Sequence, residues 1–131
     1  MSAQLKILQA VQHAEKLAEL RGILKFLKAA KQTTTYVPVA MALGMFSGSA
    51  ALAGMLGEIQ VEDSTMGAPF LSSLVVSSVT GIPGKGYFDH ARKLGCSIGK
   101  SPNDELEFWL NQLQTLGVPA QGTMLSCSCS T

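Results

Sequence analysis

Residues Val37 to Gly57 form 21 consecutive positions without a charged side chain. That is about the length a helix needs to cross a bilayer. Such a stretch folds in one of two ways: as a single apolar rod in lipid, or as short helices buried in a protein core. Lys25, Lys28 and Lys31 precede it as cytoplasmic flanks of a span would, and Gly44-Met45-Phe46-Ser47-Gly48 has the small-xxx-small form of packed membrane helices. Against the rod, the stretch is mostly Ala, Gly, Ser and Met, carries Pro38, Gly44, Gly48, Gly54 and Gly57, and is broken near its middle by Ser47 and Ser49. Two helices are the favoured reading. One runs from about Tyr36 to Leu43, with Pro38 tolerated in its first turn and Gly44 at its C-terminal cap. The next is capped by Ser47 or Ser49 and runs to about Gln60, with Leu52, Leu56 and Ile59 on one face. A small membrane protein spanning 37–57 is the rival.

Low charge extends to the whole chain. Of 131 residues 15% are charged, against about 25% in an average protein, while 47% are hydrophobic. That deficit calls for buried interface or membrane. The length suits one domain with a core of its own. The net charge of +1 conceals an asymmetry, +4 over residues 1–31, zero over 32–57 and −3 over 58–131. A basic leading helix with Lys25, Lys28 and Lys31 can lean on phosphate or on an acidic partner. Three cysteines, Cys96, Cys127 and Cys129, set no pattern of pairs, and the opening residues lack a signal-peptide core, so a cytoplasmic location is expected.

Residues 3–31 read as helix, with Leu17, Leu20, Leu24 and Leu27 as its apolar stripe. Residues 61–69 read as loop. Phe70 to Val79 is the best strand signal in the chain, and Thr80 to Gly86, with three glycines and Pro83, predicts the turn of a β-hairpin that re-enters structure at Tyr87-Phe88. A short helix, Asp89 to Leu94, stops at Gly95. Ser101-Pro102-Asn103-Asp104 opens a last helix, since it places a Ser cap, Pro at the first helical position and an acid two residues later. That helix carries Leu106, Trp109, Leu110, Leu113 and Leu116 and ends at Gly117. The expected organisation is one α+β domain over residues 1–117 and a flexible tail over 118–131. Its fold is expected to be a winged-helix-like helical bundle with a central β-hairpin and C-terminal helices.

Several stretches carry a resemblance: Thr34-Thr35-Tyr36 with Val39 to Gly44, then Leu56-Gly57-Glu58-Ile59, then Pro69 to Val76 followed by Thr80 to Phe88. With Ala91 to Gly95 and Phe108-Trp109, they resemble a family of small bacterial and phage proteins over about residues 20–116. The resemblance implies a fold and soluble character and names no reaction. In architecture the chain is also similar to the DNA-binding domain of alkylguanine alkyltransferases and alkyltransferase-like proteins. There the reactive Pro-Cys-His-Arg would fall at Pro69-Phe70-Leu71-Ser72, which holds neither the cysteine nor the histidine, so alkyl transfer is excluded. The helix from Ser49 to Leu56 also lacks the arginine that would replace a flipped base.

No constellation names a chemistry. Asp89 and His90 are about 100° apart on one helix and cannot both aim at Cys96, and His13 reads as a surface residue. Cys127 and Cys129 offer two ligands where a closed zinc site needs four. Thr80 to Gly86 is not a phosphate-binding loop. No cofactor is expected, and the chain is read as non-enzymatic. The helix expected to enter a DNA groove, 49–60, has no Lys, Arg, Asn or His to read base edges. The leading expectation is therefore an interaction module for a protein partner or a second copy of itself, in contact through Met45, Phe46, Pro83, Lys85 and Tyr87. Weak DNA association through Lys25, Lys28, Lys31 and Lys85 is the alternative, and it would be salt-sensitive.

Overall fold

A computed structural model of the chain describes residues 2–45 and 50–120. Five α-helices and one two-stranded parallel sheet are present among the described residues, which places the chain in the α+β class with helix dominant. Helix α1, Ser2–Ala30, matches the expected leading helix. Leu20 and Leu24 of its stripe are fully buried and Leu17 and Leu27 are partly buried. Its first half extends past the core, leaving Leu5, Ile7, Leu8 and Val11 exposed.

The uncharged middle of the chain is divided. Helix α2, Tyr36–Ala42, buries Val39 and Ala40, carries Pro38 in its first turn, and is followed by Gly44 at φ +71°, the left-handed conformation a glycine adopts freely. Helix α3, Ala50–Thr65, follows. Ser47 and Ser49, the expected caps of that helix, lie outside the described residues. Because α2 ends at Ala42 and Gly44 is left-handed, 37–57 is not a single rod, and none of the described helices is long and apolar enough to cross a membrane. Helix α3 also continues five residues beyond Gln60, through what read as loop. It does so because Asp63 is drawn inside, and the helix stops only where Gly67 takes φ +67° and Ala68 N–H bonds back to Asp63 C=O.

The expected β-hairpin does not form. Residues 70–76 are buried without a break, whereas a strand with one wet face would alternate. This segment threads the middle of the protein against α1, α3 and α5, and Leu71–Leu74 winds into a 3-10 turn. Only Val75–Val76 (β2) is extended. It pairs in parallel with Thr34–Thr35 (β1), Thr34 opposite Val75 and Thr35 opposite Val76. A local turn follows, closed by Ser77 N–H to Ile82 C=O and Gly81 N–H to Ser77 C=O, with Gly81 at φ +78°. The chain then enters helix α4, Lys85–Lys93, where a returning strand was expected. Tyr87, Phe88 and Ala91 are all buried there, a spacing that fits a helix face better than a strand.

Helix α5, Pro102–Leu116, forms as the capping signature predicts. The Ser101 hydroxyl accepts from Asp104 N–H at 3.1 Å, the Asp104 carboxylate accepts from Ser101 N–H, and Gly117 ends the helix at φ +76°. Trp109 reaches the centre and donates its indole N–H to Ser73 C=O at 2.9 Å. Val118, placed in the tail by the sequence reading, is buried in the core, and residues 121–131 lie outside the described residues. Arg92 ties α4 to α5, bonding Asp89 at 3.0 Å, Glu105 at 2.7 Å and the carbonyls of Ile98 and Gly99.

Two stability outcomes follow. Asp63 is 1% exposed, bonded to Arg21 and to Leu71 N–H, so Asp63→Ala leaves a buried amide without its acceptor, while Arg21 keeps Glu62. It is expected to cost about 1–3 kcal/mol in urea unfolding. Ser101→Ala removes the α5 cap and is expected to cost about 1 kcal/mol in the same measurement.

Candidate functional site

Helix α3 presents Ala53, Gly54 and Gly57 toward α4, and side chains this small leave the space between the two helices open. The result is a groove of about 520 Å³, lined also by Leu56, Val61 and Tyr87, by Gly84 and Gly86 at the start of α4, and by Tyr36 and Ser72. A few polar groups on a mostly apolar wall are the usual make-up of a ligand site. Here they are Tyr36, Glu58, Gln60, Ser72 and His90.

Each polar group has a definable hydrogen-bond state. Gln60 is buried and donates its side-chain N–H to Tyr87 C=O at 3.1 Å, which turns its amide oxygen toward His90 Nδ1 at 3.3 Å. An amide oxygen only accepts, so Nδ1 of His90 carries a proton. In the neutral ring the lone pair is then on Nε2. The Tyr36 phenol oxygen accepts from Gly84 N–H at 3.0 Å and keeps its own hydrogen to donate. Glu58, at the rim, is bonded by His13 of α1 at 2.7 Å. Ser72 is different. It is 4% exposed, and among the described residues its hydroxyl has no hydrogen-bond partner. A buried unpaired hydroxyl costs about 1–3 kcal/mol.

The neighbouring Ser73 shows the contrast. Its hydroxyl shares a hydrogen with the Tyr87 phenol, and its carbonyl takes the Trp109 indole. Burial pushes the Tyr87 phenol well above the ordinary tyrosine value, the Ser73 hydrogen bond pulls the other way, and nearby Cys96 adds to the rise. The Cys96 thiol is likewise raised by burial.

The structure does not assemble Asp89, His90 and Cys96. His90 is engaged by Gln60, while Asp89 is engaged by Arg92 and, at 3.9 Å, by Lys85. Among the described residues no three His, Cys, Asp or Glu side chains stand together as metal ligands do. Cys127 and Cys129 lie outside the described residues.

Of the residues assigned to contacts from sequence, Lys25, Lys28 and Lys31 are exposed near the end of α1, and Lys85 is 82% exposed on the first turn of α4. Met45 is partly buried against the core, and Phe46 lies outside the described residues. Pro83 was expected at a hairpin tip, and Tyr87 as a contact residue where the chain re-enters structure after it. Both are buried, because the chain turns inward into α4, and Tyr87 serves as a wall of the groove. Sequence reasoning missed Tyr36, Gln60 and Ser72, and weighed His90 only for catalysis with Asp89 and Cys96. The one signal pointing toward them was the run of small residues in α3, which read as a surface for close helix contact and instead keeps a groove open.

A buried phenol raised above its unfolded value stabilises the fold while it stays protonated. That contribution is complete below the unfolded value of about 10 and is lost as pH rises above it, by up to ~1.4 kcal/mol per pH unit. Urea midpoints measured from about pH 9 to 11 are therefore expected to fall, and to fall less steeply in Tyr87→Phe.

No protein-family model, curated protein or solved structure matches this chain.

Proposed function

We propose that this protein is a non-enzymatic interaction module that receives an apolar group of a protein partner in the groove between α3 and α4. The observation that carries the reading is the groove itself, which small side chains on α3 leave open beside α4 with a mostly apolar wall and a few polar groups. The α1–α2–α3 order keeps the winged-helix-like element of the proposal, with a protein-facing groove in place of a DNA-facing wing.

A second reading, salt-sensitive association with duplex DNA, is favoured by the exposure of Lys25, Lys28 and Lys31 along the end of α1. Helix α3, with no base-reading side chain before Gln60, contributes nothing to it. A duplex mobility shift at low salt tests this reading, and no shift there removes it.

The groove has a direct test. A Cβ built at Gly54 meets nothing within 4 Å, so Gly54→Leu fills the groove from a helix position that tolerates a side chain. Leucine also gains up to about 1 kcal/mol of helix propensity over glycine there. Small apolar probes such as isopropanol, mapped by amide shifts in solution, are expected to gather at α3 and α4, and Gly54→Leu is expected to abolish this with no loss of stability. Probes gathering instead on Leu5, Ile7, Leu8 and Val11 of α1 would place the contact surface there. Ser72→Ala is expected to leave the free protein equally stable or more stable, since it deletes an unpaired group.

A further inference from the structure

We infer that the occupant of the groove is the first half of α1 from a second copy of this chain, so that two copies exchange these arms and each groove holds the other's helix. This rests on the groove reading above and names the partner. Residues 3–15 of α1 are all exposed, a stretch of about 20 Å beyond the core. A helix of that length with nothing against it is marginal in water, so a cover has something to stabilise. Leu5, Ile7, Leu8 and Val11 are 49–62% exposed there. Their rotation about the helix is fixed by His13, which faces α3 and bonds Glu58 on the groove rim at 2.7 Å. At about 100° per residue, Ile7, Leu8 and Val11 stand about 120°, 140° and 160° round from His13. They are turned away from their own groove, so the arm cannot fill it and the occupant comes from another molecule.

Three features match the arm to the groove. An amphipathic helix laid in an apolar groove is held by anchors three and four residues apart. Leu5 and Leu8, and Leu8 and Val11, are three apart, and Ile7 and Val11 are four. The lengths agree: the anchors span about 9 Å, and α3 lines the groove from Ala53 to Val61, about 12 Å. The signs of charge agree as well. Residues 2–14 hold no acid and one formal charge, Lys6, while among the described residues the groove lining holds one formal charge, Glu58. Area then calls for a reciprocal exchange. One such contact buries on the order of 300–400 Å² of each partner, well under the roughly 800 Å² per partner of a stable interface. When each copy buries its arm and its groove wall together the figure is about 700 Å², close to that size. Pairing of the two arms with each other would bury half as much and leave both grooves empty. The exchange closes about a two-fold axis, with every arm and every groove used.

The test is sedimentation of the full chain over a range of concentrations, with circular dichroism to check the fold of each variant. The wild type is expected to be a dimer that dissociates on dilution. Leu8→Asp alters an exposed arm residue and Gly54→Leu fills the groove from an open position, so both keep the fold. Each is expected to weaken dimerisation about a hundredfold, tenfold for each of the two contacts it enters. Mixing the two variants restores one whole contact, because the arm of Gly54→Leu is intact and so is the groove of Leu8→Asp. The mixture should therefore associate more tightly than either variant alone, and no gain on mixing overturns the exchange. Monomers at every concentration overturn it too. So does a dimer that survives Gly54→Leu, which would set the arms against each other, or one that survives Leu8→Asp. The groove reading is checked apart, with isopropanol in Leu8→Asp, whose groove is left free. Isopropanol gathering at α3 and α4 there keeps that reading standing when the exchange falls; if it does not gather, both fall.

Discussion

Asp63 is a carboxylate in the interior of the protein, and most of the structure is arranged around making that tolerable. A charge removed from water is stable only when its oxygens are both answered. One oxygen takes Arg21 of α1 at 3.1 Å and the other takes the Leu71 amide at 2.9 Å. Arg21 also holds Glu62 at 2.6 Å. Burial works against its charge, but the two acids outweigh burial and leave the guanidinium more firmly protonated than usual. One side chain thereby joins the leading helix, α3 and the start of the central segment. Gln112 of α5 does the same for the adjacent Phe70 amide at 2.8 Å.

The central segment turns that clamp into a site. Seven consecutive buried residues cannot satisfy their backbone through a sheet only two residues long, so side chains do the work. Asp63, Gln112 and Trp109 each bond one of its backbone groups. Ser73 joins this network through the Tyr87 phenol, and Ser72, one residue earlier, is left out of it. Two adjacent serines thus differ: one fastens the core to α4, and the other is buried behind the wall of the groove with its hydroxyl unpaired. Phe70, Tyr87, Phe88 and Phe108 pack edge-on and tilted around the same point, which keeps the groove wall rigid.

How much of this was legible follows the range of the interactions. The capping box at Ser101 to Asp104, the stop at Gly117, the leucine stripe of α1 and the end of α2 before Gly44 all depend on residues within about one helical turn, and all were readable. The strand assigned to Phe70–Val79 was not. β-Branched and aromatic residues there satisfy a strand signal, yet what they record is burial on every side. The continuation of α3 past Gln60 was equally hidden, because polar Glu62, Asp63 and Ser64 look like loop until Arg21 is brought beside them from 42 residues away. The groove could not be read either: Ala53, Gly54 and Gly57 say that α3 is narrow, not whether a neighbour closes against it.

The sequence by itself determined the bounds of α1, α2 and α5 and that the uncharged middle is two helices, since capping, glycine conformations and apolar spacing are local chemistry. Tertiary structure alone decided that β2 pairs with Thr34–Thr35 instead of a returning strand, that Asp63 is inside, and that a groove stays open between α3 and α4. These outcomes depend on which surfaces meet. A parallel pairing, a buried charge and a gap between helices are each set by partners distant in the chain, and their energies exist only once those partners are in contact.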